Sequence, residues 1–196
     1  MRLLPVLLTA AALTACAESQ PVDQNAEAFN DNLVNSTPDN AVANTTTSTP
    51  TPASANFASG EGAPLGSVTV EDGANGLVIR LAGSAMPAGT HGIHLHTVGK
   101  CEGPKFESAG SHWNPDNKKH GSANPEGPHK GDLPNVDVAT DGTLTTVLTV
   151  AGVTRADLAD ADGTAIVVHA KADDNKTDPS GESGDRIACA VLAPAS

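Results

Sequence analysis

From residue 65 onward, short runs of alternating or β-branched residues recur between turns rich in glycine, proline, asparagine and aspartate. The runs are Leu65 to Val70, Leu77 to Ala82, Ile93 to Val98, Val136 to Ala139, Thr143 to Val150, Ala165 to Ala170 and Ile187 to Leu192. A period of two bounded by turn residues places side chains alternately on two faces, so these runs predict strands. A shorter, ragged strand is expected near Ser54 to Ala58, with its partner unassigned. Asp72-Gly73 followed by Gly76 predicts a tight turn, and Asp141-Gly142 predicts a hairpin. Only Thr154 to Asp160 has helical character, one or two turns with Thr154 as the cap. The pattern predicts an all-β fold, an antiparallel sandwich or barrel of about eight strands.

Two segments break the pattern, Gly99 to Asn135 and Ala172 to Asp185. Both are long, polar and dense in glycine and proline. Long connections inside a compact domain tend to be functional when something orders them. The first contains His112, His120, His129 and Cys101.

The N-terminal quarter follows another logic. Met1 to Ala15 carries one cation, Arg2, then an apolar run ending in Leu13-Thr14-Ala15-Cys16. This predicts an export signal over residues 1–15, too short for a stable membrane span. Its small-residue end resembles a bacterial lipoprotein signal, which would make Cys16 a lipid anchor. Residues 16–53, rich in Asn, Thr, Ser, Ala and Pro, predict a disordered tether, and residues 54–196 the folded domain. Ala17 rather than Asp after Cys16 resembles the pattern of outer-membrane sorting. The expected location is the bacterial cell envelope, on the periplasmic face.

Once Cys16 is set aside, Cys101 and Cys189 remain, an even pair in a chain sent to an oxidising compartment. They are read as one disulfide. The formal charge of −12 includes Arg2 and five acids of the tether; without them the domain is near −8. With no basic stripe, no tyrosine and one tryptophan, Trp113, nucleic acid is not an expected partner.

All seven histidines fall between His91 and His169. His94 and His96 stand at i and i+2 of a strand, so both imidazoles leave one face of the sheet toward one ion. His169 ends an apolar strand and can bring a third. His112, His120, His129 and Asp132 supply three nitrogens and one carboxylate oxygen, a set that closes a tetrahedral zinc site. His91 has the opposite strand parity to His94 and is read as structural.

In order along the chain, His91-Gly92-Ile93-His94-Leu95-His96, Ser108-Ala109-Gly110-Ser111-His112-Trp113-Asn114-Pro115, Lys119-His120-Gly121, His129-Lys130-Gly131-Asp132-Leu133-Pro134-Asn135, Val168-His169-Ala170-Lys171-Ala172-Asp173-Asp174 and Gly184-Asp185-Arg186-Ile187-Ala188-Cys189 resemble the motifs of exported bacterial copper/zinc superoxide dismutases. The resemblance covers about Ser54 to Leu192. It implies an immunoglobulin-like Greek-key sandwich or barrel, an architecture of which that family is itself a standing example, so the fold agreement is not independent. It also implies copper bound by His94, His96, His112 and His169, and zinc bound by His112, His120, His129 and Asp132, with His112 shared as an imidazolate. Asp173 is implied as the link between one histidine of each set, and Arg186 as the guide for the anion. The implied reaction is dismutation of superoxide to dioxygen and hydrogen peroxide.

Two details depart from the family pattern. Trp113 replaces a smaller aromatic after the shared histidine, and the 172–185 loop offers only Lys176, with Lys171 before it, to attract anions. Weaker electrostatic steering is expected. Rival readings are a metal buffer using the same ligands without turnover, and a disulfide-stapled sandwich with incidental histidines. Arg186 separates the first rival from an enzyme, because a buffer has no use for a cation beside copper. Monomer and homodimer are both compatible with the sequence.

Overall fold

The computed structural model describes residues 53–195. The signal and tether readings, Cys16 included, lie outside the described residues, except that the first strand opens at Ala53, one residue ahead of the boundary drawn at 54. Nine strands form among the described residues: β1 Ala53–Ala58, β2 Pro64–Gly73, β3 Gly76–Gly83, β4 Gly89–His91, β5 Ile93–His96, β6 Val136–Val138, β7 Leu144–Ala151, β8 Thr164–His169 and β9 Arg186–Ala193. Seven pair antiparallel into one curled sheet in the order β5-β8-β9-β1-β2-β3-β7, and β4 pairs with β6 in a separate ribbon. The neighbours β1/β9, β3/β7 and β5/β8 are distant in sequence, which is Greek-key connectivity. The chain is all-β, as its periodicity predicts.

One main core holds the inward positions of the alternating strands. Val68 and Val70 of β2, Leu77, Ile79 and Leu81 of β3, and Leu144 and Leu148 of β7 pack there with Phe57 of β1. Burying each large apolar side chain stabilises the fold by roughly 1.5–3 kcal/mol. β1 is better integrated than its sequence promises, pairing with β2 along its length and with β9 at Ala58.

β8 is buried at all six positions. Its Ile166 and Val168 face the main core, while Ala165 and Val167 face a second cluster with Phe106, Ala109 and Cys189. The loop after β5 therefore lies over the outer side of β8 and β9, which is why β8 reads as a continuous apolar run. Cys101 and Cys189 are bonded there, with their Cα atoms 5.7 Å apart.

Three local expectations change. The run starting at Ile93 leaves the sheet after His96, because the N–H groups of Thr97 and Val98 donate to Ser111 and Ala109 of the loop. Asp141-Gly142 does make a tight turn, with Gly142 N–H donating to Ala139 O, but the flanking strands part company: β6 pairs with β4 and β7 with β3. β4, three residues long, is too short to show a period. The Gly73/Gly76 turn joins β2 and β3 as expected, with Gly73 opposite Gly76. The helix is a single turn, α1 Arg155–Leu158, with Asp157 Oδ2 accepting the N–H of Thr154 at 2.8 Å and its hydroxyl at 2.7 Å.

Candidate metal centre

β5 pairs with β8 along one edge, and the long loop covers the other. Leu95 N–H donates to Gly131 O at 2.9 Å, Leu95 O accepts from Trp113 N–H at 2.8 Å, and Gly131 N–H donates to Trp113 O at 2.8 Å. The loop thus satisfies a strand edge that would otherwise stand open. The same bonds set Asp132 opposite His94 and His112 opposite His96. Ile93 and Leu95 enter the main core, so the alternation of β5 sends His94 and His96 to the other face, where both are fully buried.

The site has two lobes. In the first, ligand atoms of His94, His96, His112 and His169 lie within 4.8 Å of one another. His94 Nε2, His96 Nδ1 and His169 Nδ1 are held by Asp173 Oδ2 at 2.6 Å, Gly110 O at 3.0 Å and Gly184 O at 3.1 Å. Each acceptor requires an N–H, so the opposite nitrogen of each neutral ring bears a lone pair. Those opposite atoms, His94 Nδ1, His96 Nε2 and His169 Nε2, are buried without a partner, and so is His112 Nε2. Four converging lone pairs without a donor are a poor arrangement for a dry protein interior, and a cation satisfies all of them. The donor set fits a metal favoured by imidazole.

In the second lobe, His112 Nδ1, His120 Nδ1 and His129 Nδ1 lie 3.0, 3.0 and 3.2 Å from Asp132 Oδ1. A tetrahedron with zinc-type bonds has edges of roughly 3.3 Å, and the three edges to Asp132 match that length. Asp132 Oδ2 accepts the N–H groups of Gly121 and His129 at 2.9 and 3.0 Å, which fixes the carboxylate. His112 belongs to both lobes, one ring nitrogen in each.

Asp173 joins the lobes from behind: Oδ2 faces His94 and Oδ1 faces His120 Nε2 at 3.0 Å. Gly181 makes this possible. A Cβ there would stand 1.9 Å from Asp173 Oδ1 and 2.6 Å from His120 Nε2, and its φ of +63° also favours glycine.

The lobes differ electrostatically. Burial, with His112 nearby, pushes His96 down to about 2. Burial likewise lowers His169 to about 3 and His112 to about 4, and it lowers His94 against the opposing pull of Asp173. These rings stay neutral, the form that binds metal. In the second lobe burial is outweighed: Asp132 and Asp173 raise His120 to about 9. Both carboxylates are held well below their ordinary range despite burial, Asp132 by His112 and His120 and Asp173 by His120 and His94. The second lobe favours positive charge.

His91 lies outside both lobes, consistent with a structural place. Its Nδ1 faces His169 O at 2.7 Å and its Nε2 faces Pro87 O at 2.9 Å. Arg186 is half-buried and donates to Phe106 O at 2.6 Å and to Gly110 O at 2.7 Å. Gly110 O thus serves both Arg186 and His96. Arg186 lines a cleft of about 470 Å³ with Pro104, Lys105, Glu107, Gly184 and Asp185. No motif marks Lys105; its one sequence signal is its place four residues after Cys101, because the disulfide brings that segment to Cys189, three residues beyond Arg186. The Gly110 and Gly184 carbonyls could not be anticipated, since any residue carries one.

Comparison with known proteins agrees on one family. Residues 65–192 match the family model for copper/zinc superoxide dismutase. The chain is 39% identical over 138 residues to a Cu-Zn superoxide dismutase of Aquifex aeolicus, covering 67% of this chain and 82% of that protein. It is 40% identical over 140 residues to the Cu-Zn superoxide dismutase of Caulobacter vibrioides, covering 68% and 80%. Among solved structures, a double mutant of a SOD-like protein from Bacillus subtilis is similar at TM-score 0.69 and 37% identity, over 71% of this chain and 96% of that one. The Cu/Zn superoxide dismutase of Brucella abortus is similar at TM-score 0.61 and 25% identity, over 72% and 99%.

Proposed function

The chain belongs to the copper/zinc superoxide dismutase family, and from that premise we propose that His94, His96, His112 and His169 hold copper, that His112, His120, His129 and Asp132 hold zinc, and that His112 bridges them as an imidazolate. The chain is an oxidoreductase whose family uses copper and zinc and acts on superoxide. The observation that carries the assignment is the buried set of unpartnered ring nitrogens in the first lobe, joined through His112 to the three-nitrogen, one-carboxylate second lobe. Bound copper would supply the one-electron couple for both halves of the reaction, and redox-inert zinc would supply charge and fixed geometry.

The reaction consumes two superoxide anions and two protons and yields dioxygen and hydrogen peroxide. His112 carries one of those protons. With a cation held in each lobe its ring would be deprotonated, and Nε2 would take up a proton in the first half-reaction and return it in the second, while solvent would supply the other. Asp173 keeps His94 and His120 in the tautomers that leave Nδ1 free. Arg186, fixed by two carbonyls, attracts the monoanion and orients it, and Lys105 adds a second positive charge to the same cleft.

Export is the other part of the proposal. Residues 1–15 act as the signal, Cys16 carries the lipid, and residues 16–53 tether the domain at the periplasmic face, the outer membrane being favoured. The Cys101–Cys189 bond supports an oxidising compartment.

Metal analysis tests the ligand sets. The parent should hold one copper and one zinc per chain. His169→Ala should lose copper and keep zinc, and His129→Ala should do the reverse. Equal loss of both metals in both variants would contradict the assignment.

A further inference from the structure

The loop spanning 114–135 and the loop spanning 172–185 meet beside His120, and backbone groups make much of the contact. Ala123 N–H donates to Asn175 O at 2.8 Å, and Asn135 exchanges two bonds of 2.8 Å with the backbone of Asp173. The loops touch so closely at Gly121 that a Cβ there would lie 2.2 Å from the Asn175 carbonyl. Across this seam one acidic side chain of the second loop reaches the main chain of His120 itself. Asp178 Oδ1 accepts His120 N–H at 2.9 Å, and Oδ2 faces Lys119 Nζ at 3.2 Å.

Three carboxylates therefore fix three different parts of one short segment. Asp173 holds the ring of His120 through Nε2, Asp132 holds the N–H of Gly121, and Asp178 holds the N–H of His120. The first two belong to the site already described, whereas Asp178 offers no ligand atom to either lobe. Its own position is built locally. Asp174 Oδ1 accepts the N–H groups of Lys176 and Thr177 at 2.9 and 2.8 Å, and Gly181 N–H donates to Thr177 O at 2.7 Å, which shapes the turn that presents Asp178.

We propose that Asp178 is a positioning residue for zinc, a latch that pre-forms the His120 backbone so that the ring meets the other three ligands without further ordering. The inference rests on the zinc assignment above. A ligand whose main chain is anchored before the metal arrives loses less conformational freedom on binding, and that saving appears as affinity. The Lys119 contact contributes little, because that ion pair is exposed to solvent.

The test uses the disulfide-intact protein, with zinc affinity measured against a competing chelator and with Co(II) as the spectroscopic probe of the tetrahedral site. Asp178→Ala should weaken zinc by about tenfold or more, the range typical of lost outer contacts at metal sites, and should alter the cobalt visible band. Asp178→Asn, whose amide oxygen can still accept from His120 N–H, should recover most of the affinity and the parent band. Lys119→Ala should leave both unchanged, and copper affinity should be the same in all variants. An Asp178→Ala protein with parental zinc affinity and parental cobalt band would overturn the latch. Equal weakening of copper and zinc would also overturn it, by showing a general structural role. His129→Ala separates the two claims: if the parent has a tetrahedral cobalt band that His129→Ala abolishes, the zinc assignment stands whatever Asp178 does. A parent with no such band overturns the assignment and the latch with it.

Discussion

Replacing Cys101 and Cys189 together by alanine removes a cross-link that closes a sequence separation of 88 residues. In the chain-entropy account, a loop of that size restricts the unfolded chain by about 4.5 kcal/mol. Unfolding entropy near 2.1 cal/mol/K per residue gives roughly 0.3 kcal/mol/K for a domain of this length, so the melting temperature should fall by about 15 °C. The void left beside Phe106, Ala109 and Val167 adds to the loss. The measurement is calorimetry on metal-free, disulfide-intact parent and on the metal-free double variant, because bound metal would add its own stabilisation. A functional consequence goes with it. The loop that Cys101 fastens also presents the Phe106 and Gly110 carbonyls to Arg186, and Gly110 O to His96. The metallated double variant should therefore dismute superoxide more slowly than the parent and depend less steeply on ionic strength. A melting shift below about 5 °C would refute the entropic reasoning, and unchanged rate and salt dependence would refute the link from the disulfide to Arg186.

Arg186→Ala should keep both metals yet lose roughly tenfold in second-order rate, equivalent to about 1.4 kcal/mol, with Arg186→Glu slower still; stopped-flow decay of superoxide checks this, and an undiminished Arg186→Glu rate would end the anion-guide role. Metal-free protein should lose stability as pH falls from about 6.5 toward 4, because His96, His112 and His169 stay neutral in the fold while the unfolded chain takes up protons, each contributing up to about 1.4 kcal/mol per pH unit. His120 works with the opposite sign, its contribution present below about 6.5 and lost as pH rises through about 9; urea midpoints at several pH values test both, a midpoint constant from pH 7 to pH 5 contradicting the first and one that does not fall from pH 7 to pH 9 contradicting the second. Cys16→Ser should release the protein from membranes while leaving the domain active, and a variant that still pellets with membranes after a salt wash would rule out the lipid anchor.

Most of the frame was legible because its signals are local. The alternation of β2, β3 and β7 marks their buried faces, and the spacing of His94 and His96 places both rings on one side of β5. The differences between sequence and structure have a common physical source. Asp141-Gly142 specifies a turn, but which strands pair beyond it is decided by the whole barrel, so β6 and β7 went to different neighbours. Ile93 to Val98 looks uniformly strand-like, yet the loop competes successfully for the N–H groups of Thr97 and Val98. The site was legible through residue types with few other uses in such numbers, histidine above all. Backbone carbonyls that set ring tautomers, and Lys105 beside Arg186, depend on where the disulfide carries a loop. Asp178 is harder still, since nothing in Thr177-Asp178-Pro179 points to His120 until the two loops are seen side by side.

The central claim is that these two lobes, loaded with copper and zinc, form an enzyme and not a store. Superoxide decay followed by pulse radiolysis, on protein shown to contain one copper and one zinc per chain, tests it most directly. Rapid catalytic decay with many turnovers per copper is the predicted result, slowed by raising ionic strength and slowed further in Arg186→Glu. Fully metallated parent protein that consumes no more superoxide than one equivalent per copper would contradict it and leave a metal buffer in its place.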